Sequence, residues 1–287
     1  VTFVASMLER VIEEQARGNP ALAESVRKEV VAVIGDDLSK VKPGSADAMR
    51  LKDVLVARKL WSQYLEVGIG PDAEIFTKSQ PMSAVGTGAE IGIHPQSEWN
   101  NPEPEIVLVV NSRGETVGAT LGNDVNLRDF EGRSALLLGK SKDNNGSTAI
   151  GPFIRLFDGT FTLDDVRRAD LTLTVSGDDG FVLKGASTMR EISRDPLDLV
   201  AQTTAMHQYP DGFVLFCGTL FAPTQDRGAA GSGFTHHVGD IVRIRSAKLG
   251  ELVNRVEHSE RLEPWSYGVR ALLRHVAQLG TRHRGGS

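Results

Sequence analysis

The sequence predicts an α+β protein, with a helical N-terminal segment over residues 1–67 and a β-rich domain over residues 68–287. Three observations predict it. Apolar residues recur at helical spacing up to about Tyr64. From Gly68 onward, short apolar runs are separated by Gly, Asn and Asp. One of these runs, Ile106 to Val110, shows no polar alternation, the pattern of a strand covered on both faces.

The elements follow in order. From Phe3 to about Gly18, Val4, Met7, Leu8, Val11 and Ile12 form an apolar stripe against Glu9, Arg10, Glu13 and Glu14. A second helix, from about Ala21 to Ile34, carries Val26, Val30, Val31 and Ile34 on one face and closes at Gly35. A third, from about Ser45 to Tyr64, opens on Ser45 as N-cap and runs through Leu51, Val54, Leu55 and Leu60. These helices read as a packing or oligomerisation appendage, so a homodimer or higher homo-oligomer is expected. The chain opens at Val1 already inside an amphipathic pattern and reads as part of a longer protein.

Beyond Gly70-Pro71, strands are expected at Ala73 to Lys78, Glu105 to Val110, Thr116 to Leu121, Pro152 to Phe157, Leu171 to Ser176, Phe181 to Ala186, Gly212 to Leu220 and Asp240 to Ser246. A helix from about Asp195 to His207 interrupts them. A last amphipathic helix, about Pro264 to Leu279, precedes the tail TRHRGGS, which is expected to be disordered.

Composition narrows the function. A net charge of -5 with no long basic stripe argues against a nucleic-acid partner. No apolar stretch approaches membrane-spanning length and no signal-peptide pattern opens the chain, so no membrane partner is expected. Cys217 is the only cysteine, which excludes an intrachain disulfide or a Cys-rich zinc site and suits a reducing cytoplasm. Within FVLFCGTLF it reads as a buried core residue.

Glu103 and Glu105 stand two apart at the entrance of the unalternating run, so strand geometry puts both carboxylates on one face within roughly 7 Å. Like charges this close call for a proton or a cation between them. Asp124, following another expected strand, offers a third carboxylate. Hard oxygen ligands without a nearby thiol point to magnesium or manganese rather than zinc. Spacing alone also fits the solvated face of a half-exposed sheet; the apolar run beyond the pair favours a cleft.

Eight motifs then occur in a fixed order: EIFTK (Glu74 to Lys78), EPEIVLVV (Glu103 to Val110), GNDVNLRD (Gly122 to Asp129), LGKSKD (Leu138 to Asp143), GPFI (Gly151 to Ile154), GASTMRE (Gly185 to Glu191), CGTLFAP (Cys217 to Pro223) and VGDIVRI (Val238 to Ile244). Each is weak alone. In this order, over about two-thirds of the chain, the set resembles the fumarylacetoacetate hydrolase superfamily. The resemblance implies a mixed β-roll with a magnesium or manganese site held by Glu103, Glu105 and Asp124. It implies Lys140 as the lysine of the Gly-Lys motif beside the metal, Lys78 as the lysine entering the site and Thr219 as a substrate-binding threonine. Arg128 is implied to brace the carboxylates. Plainer readings stand beside these: surface lysines for Lys78 and Lys140, and a structural ion pair for Arg128.

Departures from the family pattern are informative. Hydrolases of this family carry a Tyr-x-x-His-x-x-Glu motif that activates water, whereas here Tyr64 is followed three residues on by Val67. The Gly-Thr-Pro loop is altered to Gly218-Thr219-Leu220-Phe221-Ala222-Pro223 and followed by a glycine-rich stretch, Gly228 to Gly233. With GIHPQSEWNNPEPE and the N-terminal helices, these departures resemble the branch that dehydrates 2-keto-3-deoxy-pentonates, derived from xylonate or arabinonate, to 2-oxoglutarate semialdehyde. That resemblance implies a small 2-keto acid substrate. Lys140 is the first candidate for the base that takes a carbon-3 proton. His94 or Glu98, in the loop before the carboxylates, is the candidate acid for the leaving hydroxyl; a backbone-bound loop histidine is the plainer reading of His94. His236 and His237 read as structural or rim residues. An acylpyruvate hydrolase with a dyad rebuilt from His94 and Glu98, and a keto-enol isomerase or decarboxylase, remain the alternatives.

Overall fold

The computed structural model describes residues 41–221, 223, 225–229 and 233–282, together with the isolated positions 24, 25, 28, 31 and 32. The first predicted helix lies outside the described residues. Of the second, only those five positions are described, and they are helical. The chain forms two compact units, residues 1–76 with 188–210, and residues 77–187 with 211–287.

In the first unit, α1 (Ala46–Ala57) is capped by Ser45, whose hydroxyl accepts from Ala48 N, and buries Ala48, Leu51 and Leu55. The sequence predicts one helix through Tyr64; the structure divides it. Arg58 caps α1, Lys59 takes a left-handed conformation at φ 57°, and Ser62 starts α2 (Gln63–Ile69) by accepting from Leu65 N. The helix predicted from about Asp195 to His207 is α6 (Pro196–Thr204), with Asp195 as N-cap and Pro196 in the first turn. Just before it, the buried Arg194 guanidinium donates to the carbonyls of Val67, Gly70 and Asp72, satisfying the chain end of α2.

The second unit is built on two sheets. The five-stranded sheet has the order β1-β11-β10-β7-β8, formed by β1 (Glu90–Ile93), β7 (Asp170–Ser176), β8 (Val182–Thr188), β10 (Ile241–Ser246) and β11 (Gly250–His258). The four-stranded sheet has the order β6-β4-β3-β9, formed by β3 (Pro104–Val110), β4 (Thr116–Asp124), β6 (Thr148–Leu156) and β9 (Phe213–Phe216). β1 runs parallel to β11 and the pairs β10 to β11 and β10 to β7 are antiparallel, so the sheet is mixed. β10 and β11 pack on β4, β11 also on β6, and β7 on β3. Leu173, Val175, Val242, Ile244, Leu252 and Val256 meet Ile106, Leu108, Ala119 and Leu121 in a core with almost no exposure.

The apolar run Ile106–Val110 is covered on both faces, as its lack of alternation predicts. A two-stranded ribbon of β2 (Asn100–Asn101) and β5 (Asn126–Leu127) closes one end. Two short helices follow β5: α3 (Arg128–Glu131) and α4 (Leu138–Lys142), joined through a 3-10 turn at Ala135–Leu137. A further short helix, α5 (Leu163–Arg167), precedes β7. The final helix, α7 (Val269–Arg282), starts later than predicted, takes in Thr281 and Arg282 of the tail expected to be disordered, whose remaining residues 283–287 lie outside the described ones, and leaves Leu273 and Val276 exposed. One predicted strand is absent. Residues 73–78 belong to no strand, and Lys78 is held by its side chain instead, as described below. No helix among the described residues is long and apolar enough to cross a membrane.

Candidate active site

The register of β3 on β4 sets Pro104 opposite Asn123 and Glu105 opposite Gly122, which delivers Glu103, Glu105 and Asp124 to the same sheet end. One oxygen from each lies within 4.8 Å of the others. The hinge is tight. A Cβ on Gly122 would collide with Val107 and Phe216, so only glycine lets the paired strands close at this point. Main-chain bonds fix the corner: Asp124 N donates to Glu103 O at 3.1 Å, and Glu103 N to the Asn123 side-chain oxygen at 3.1 Å.

Two buried lysines enter this cluster. Lys142 Nζ lies 2.5 Å from Glu103 Oε2 and 3.1 Å from Asp124 Oδ2. Lys78 Nζ lies 3.0 Å from Asp124 Oδ1, in ion-pair contact but without hydrogen-bond alignment, and donates to Val125 O, Ser147 Oγ and Lys142 O. Their environments push them apart. Burial disfavours the Lys142 ammonium, but Glu103 and Asp124 outweigh it and raise its pKa, fixing it as a cation. Burial dominates at Lys78 and, with the Lys142 charge, lowers its pKa despite Asp124.

Glu105 is the odd member. It is 3% exposed, and its hydrogen-bond donor among the described residues is Gly218 N, at 2.6 Å. Gly218 presents that N–H from a left-handed turn at φ 90°. Burial first, then the charges of Asp124 and Glu103, push the Glu105 carboxyl well above the usual carboxylate range. Burial likewise raises Glu103, against the pull of Lys142. Around the triad, Asn101 Oδ1, Asn123 Nδ2, Asn126 Oδ1 and Thr148 Oγ1 are buried with no hydrogen-bond partner among the described residues. Register brings these orphans together, since Asn101 faces Asn126, and Ala149 and Thr148 face Asn123 and Asp124. An acidic set of hard oxygen donors, one carboxylate without an ammonium partner among the described residues, and orphaned polar atoms around it fit a divalent cation with its water or substrate.

The other sequence-predicted residues are placed as follows. Lys140 does not enter the carboxylate cluster; its exposed ammonium lies over the Phe130 ring, 4.6 Å from the centroid. A helix advances about 100° per residue, so Lys140 and Lys142 leave α4 on opposite sides. His94 meets the same Phe130 ring edge-on at 5.2 Å, and its Nδ1 accepts from Gln96 N at 3.1 Å. Burial, then the Lys140 charge, lower its pKa. Glu98 is exposed, with its backbone N–H on Asp129. Arg128 stacks over Trp99 at 4.6 Å, while the ion-pair partners of the carboxylates are Lys78 and Lys142. The Thr219 hydroxyl lies 3.2 Å from Pro104 O and 3.2 Å from Phe221 O, pinning the Gly-Thr turn to the strand that carries Glu105. His236 is buried against Asp240, as a structural histidine, and His237 is half-exposed beside Asp179.

Sequence reasoning missed Lys142 and the Asn126 to Glu131 connection. Asn126 Nδ2 donates to both Glu103 Oε1, at 2.9 Å, and Glu131 Oε2, at 2.7 Å. The signal for Lys142 was present, since LGKSKD holds two lysines and only one can face inward.

Comparison with known proteins gives a consistent set. The chain is 30% identical over 192 residues to a 2-dehydro-3-deoxy-D-arabinonate dehydratase of Saccharolobus solfataricus, covering 66% of this chain and 60% of that protein. It is 32% identical over 193 residues to a Haloferax volcanii protein named "Probable 2-keto-3-deoxyxylonate dehydratase", covering 67% of this chain and 63% of that one. The chain therefore spans less than two-thirds of either relative's length. A solved structure of 2-keto-3-deoxy-D-arabinonate dehydratase complexed with magnesium and 2,5-dioxopentanoate superposes with a TM-score of 0.59 at 31% identity, over 69% of this chain and 66% of that chain. Residues 59–257, which include the β3–β4 corner, all three carboxylates and both buried lysines, match the family described as fumarylacetoacetate (FAA) hydrolase C-terminal, and the chain belongs to that family.

Proposed function

We propose that this chain acts as a magnesium- or manganese-dependent dehydratase that converts a 2-keto-3-deoxy-pentonate to 2-oxoglutarate semialdehyde. The observation that carries this reading is Glu105, a buried carboxylate beside two others with no ammonium of its own among the described residues. Such a group is stable only with a proton or a cation. The relatives' names support the substrate class, and one neighbour holds magnesium with 2,5-dioxopentanoate, another name for the proposed product.

Glu103, Glu105 and Asp124 would hold the ion, which when bound supplies Lewis acidity to the keto oxygen and carboxylate of the substrate and so acidifies carbon 3. Lys142, fixed as a cation, holds Glu103 and Asp124 in place. Lys78, whose ammonium is weakened by burial, is the better candidate than the exposed Lys140 to take the carbon-3 proton. His94 is retained as the acid for the hydroxyl on carbon 4. Because its Nδ1 accepts from Gln96 N, the proton of the neutral ring sits on Nε2, available to a leaving group. Loss of that hydroxyl as water leaves an unsaturated 2-keto acid. Passage of one carbon-5 proton to carbon 3 would then give the enol across carbons 4 and 5, and transfer of its hydroxyl proton to carbon 4 gives the aldehyde.

Two features favour elimination over carbon-carbon hydrolysis. Val67 stands where the hydrolases place histidine. His94 turns its Nδ1 to the Gln96 amide while Glu98 is exposed, so the two supply no substitute dyad. The reading includes a cytoplasmic location and a homo-oligomer, the latter supported by Phe153, Ile154 and Leu156 exposed together on the edge strand β6.

With magnesium, semialdehyde should form from 2-keto-3-deoxy-pentonate, and an acylpyruvate should be hydrolysed at least roughly a hundredfold more slowly. Comparable rates on both, followed by product chromatography, would move the chain to the hydrolases.

A further inference from the structure

The four-residue helix α3 ties the loop at 94–99 to the carboxylate cluster, one side chain at a time. Arg128 lies over Trp99, Asp129 accepts from Ser97 Oγ and Glu98 N, Phe130 supports His94 and Lys140, and Glu131 accepts from Asn126. The first three contacts complete a wall. The fourth brings in a carboxylate that belongs to neither the triad nor the wall. A single Asn126 nitrogen spans Glu103 and Glu131, so their carboxylates are separated by no more than two hydrogen bonds. Glu131 is only partly buried, and its hydrogen bond from Asn126 goes to Oε2, which leaves Oε1 able to accept from a ligand.

From this geometry we infer that Glu131 recognises the terminal, carbon-5 hydroxyl of the substrate. The inference deepens the dehydratase reading and rests on it for the identity of the ligand. A 2-keto acid whose carboxylate end met a cation held by Glu103, Glu105 and Asp124 would extend its hydroxylated tail a few bonds further, the reach at which Asn126 holds Glu131. A carboxylate oxygen, like the Glu131 Oε2 that accepts from Asn126, is an acceptor. It therefore suits a hydroxyl that stays on the chain. It does not suit the carbon-4 hydroxyl, which needs a proton in order to leave.

The test compares two substrates that share the carbon-4 leaving group: 2-keto-3-deoxy-pentonate, and 4-hydroxy-2-oxopentanoate, which lacks the carbon-5 hydroxyl. Wild-type protein with magnesium should prefer the first. In Glu131→Gln, which keeps the shape and an acceptor for Asn126, the ratio of kcat/KM values between them should fall roughly ten- to hundredfold, the worth of one hydrogen bond to a charged group. An unchanged ratio, whether both rates fall together or neither does, overturns the assignment, because a purely structural Glu131 would not distinguish the substrates. A binding arm separates this from the parent reading. Calorimetric titration with 5-hydroxy-2-oxopentanoate and 2-oxopentanoate, neither of which can lose a carbon-4 hydroxyl, should show a preference for the first that Glu131→Gln removes. If neither carbon-4 substrate is dehydrated by wild type, that titration decides: a preference removed by the variant upholds hydroxyl recognition while the dehydratase reading fails, and no preference sinks both.

Discussion

Lys142→Met should lower kcat by at least roughly a hundredfold, whereas Lys140→Met should stay within a few-fold of wild type. The two lysines stand two residues apart in one short helix, yet one bridges Glu103 and Asp124 and the other rests on an aromatic face. Removing the Lys142 ammonium leaves buried carboxylates uncompensated, a change that costs on the order of 3–5 kcal/mol of stability. A divalent cation at the same cluster should return part of that loss. Melting of Lys142→Met should therefore be markedly more sensitive to added magnesium than melting of wild type. Steady-state rates and thermal melts with and without magnesium check both statements. A larger loss in Lys140→Met than in Lys142→Met would contradict the placement.

Asp240→Asn should destabilise the second unit by about 3–5 kcal/mol, seen as a fall in Tm on the order of 10 °C. Asp240 is buried, pairs with the buried Arg227 and accepts from His237 N at 3.0 Å and His236 Nδ1 at 3.3 Å. Burial alone would raise its pKa, but the bonds from His236 and Arg227 outweigh burial and hold it far below the usual range. A depressed carboxylate pKa stabilises the fold above its unfolded value of about 3.9, and that stability is lost as pH falls toward the folded value. The gap between wild type and variant should thus be full at neutral pH and shrink below about pH 4. Denaturant melts at pH 7 and pH 3.5 measure it; an equal gap at both would show that Asp240 acts by packing alone. The network also braces the site, because His236 N donates to Asn100 Oδ1 behind the β2–β5 ribbon.

Much of this was legible in the residue pattern, for identifiable reasons. The uninterrupted Ile106–Val110 run announced a strand buried on both faces, and the period of two put Glu103 and Glu105 together. Ser45 marked a helix start because capping is local chemistry. What failed depended on tertiary context. β11 was missed because Asn254 takes an inward position, satisfied by the carbonyls of Gly86 and Ala89, and so breaks the apolar alternation. The segment at 73–78 has strand composition but no ladder partner. The choice between Lys140 and Lys142 rests on which side of a five-residue helix faces the sheet, and that is fixed by packing rather than by motif.

Manganese binding followed by electron paramagnetic resonance tests the central claim most directly, namely that the buried triad is a divalent-cation site. Wild-type protein should take up one ion per chain, and Glu105→Gln should bind it at least roughly a hundredfold more weakly, as loss of one charged ligand in a three-carboxylate set requires. In chelator the variant should melt no lower than wild type, since the substitution removes a carboxylate that burial disfavours. Equal manganese affinity in the two proteins would contradict the account.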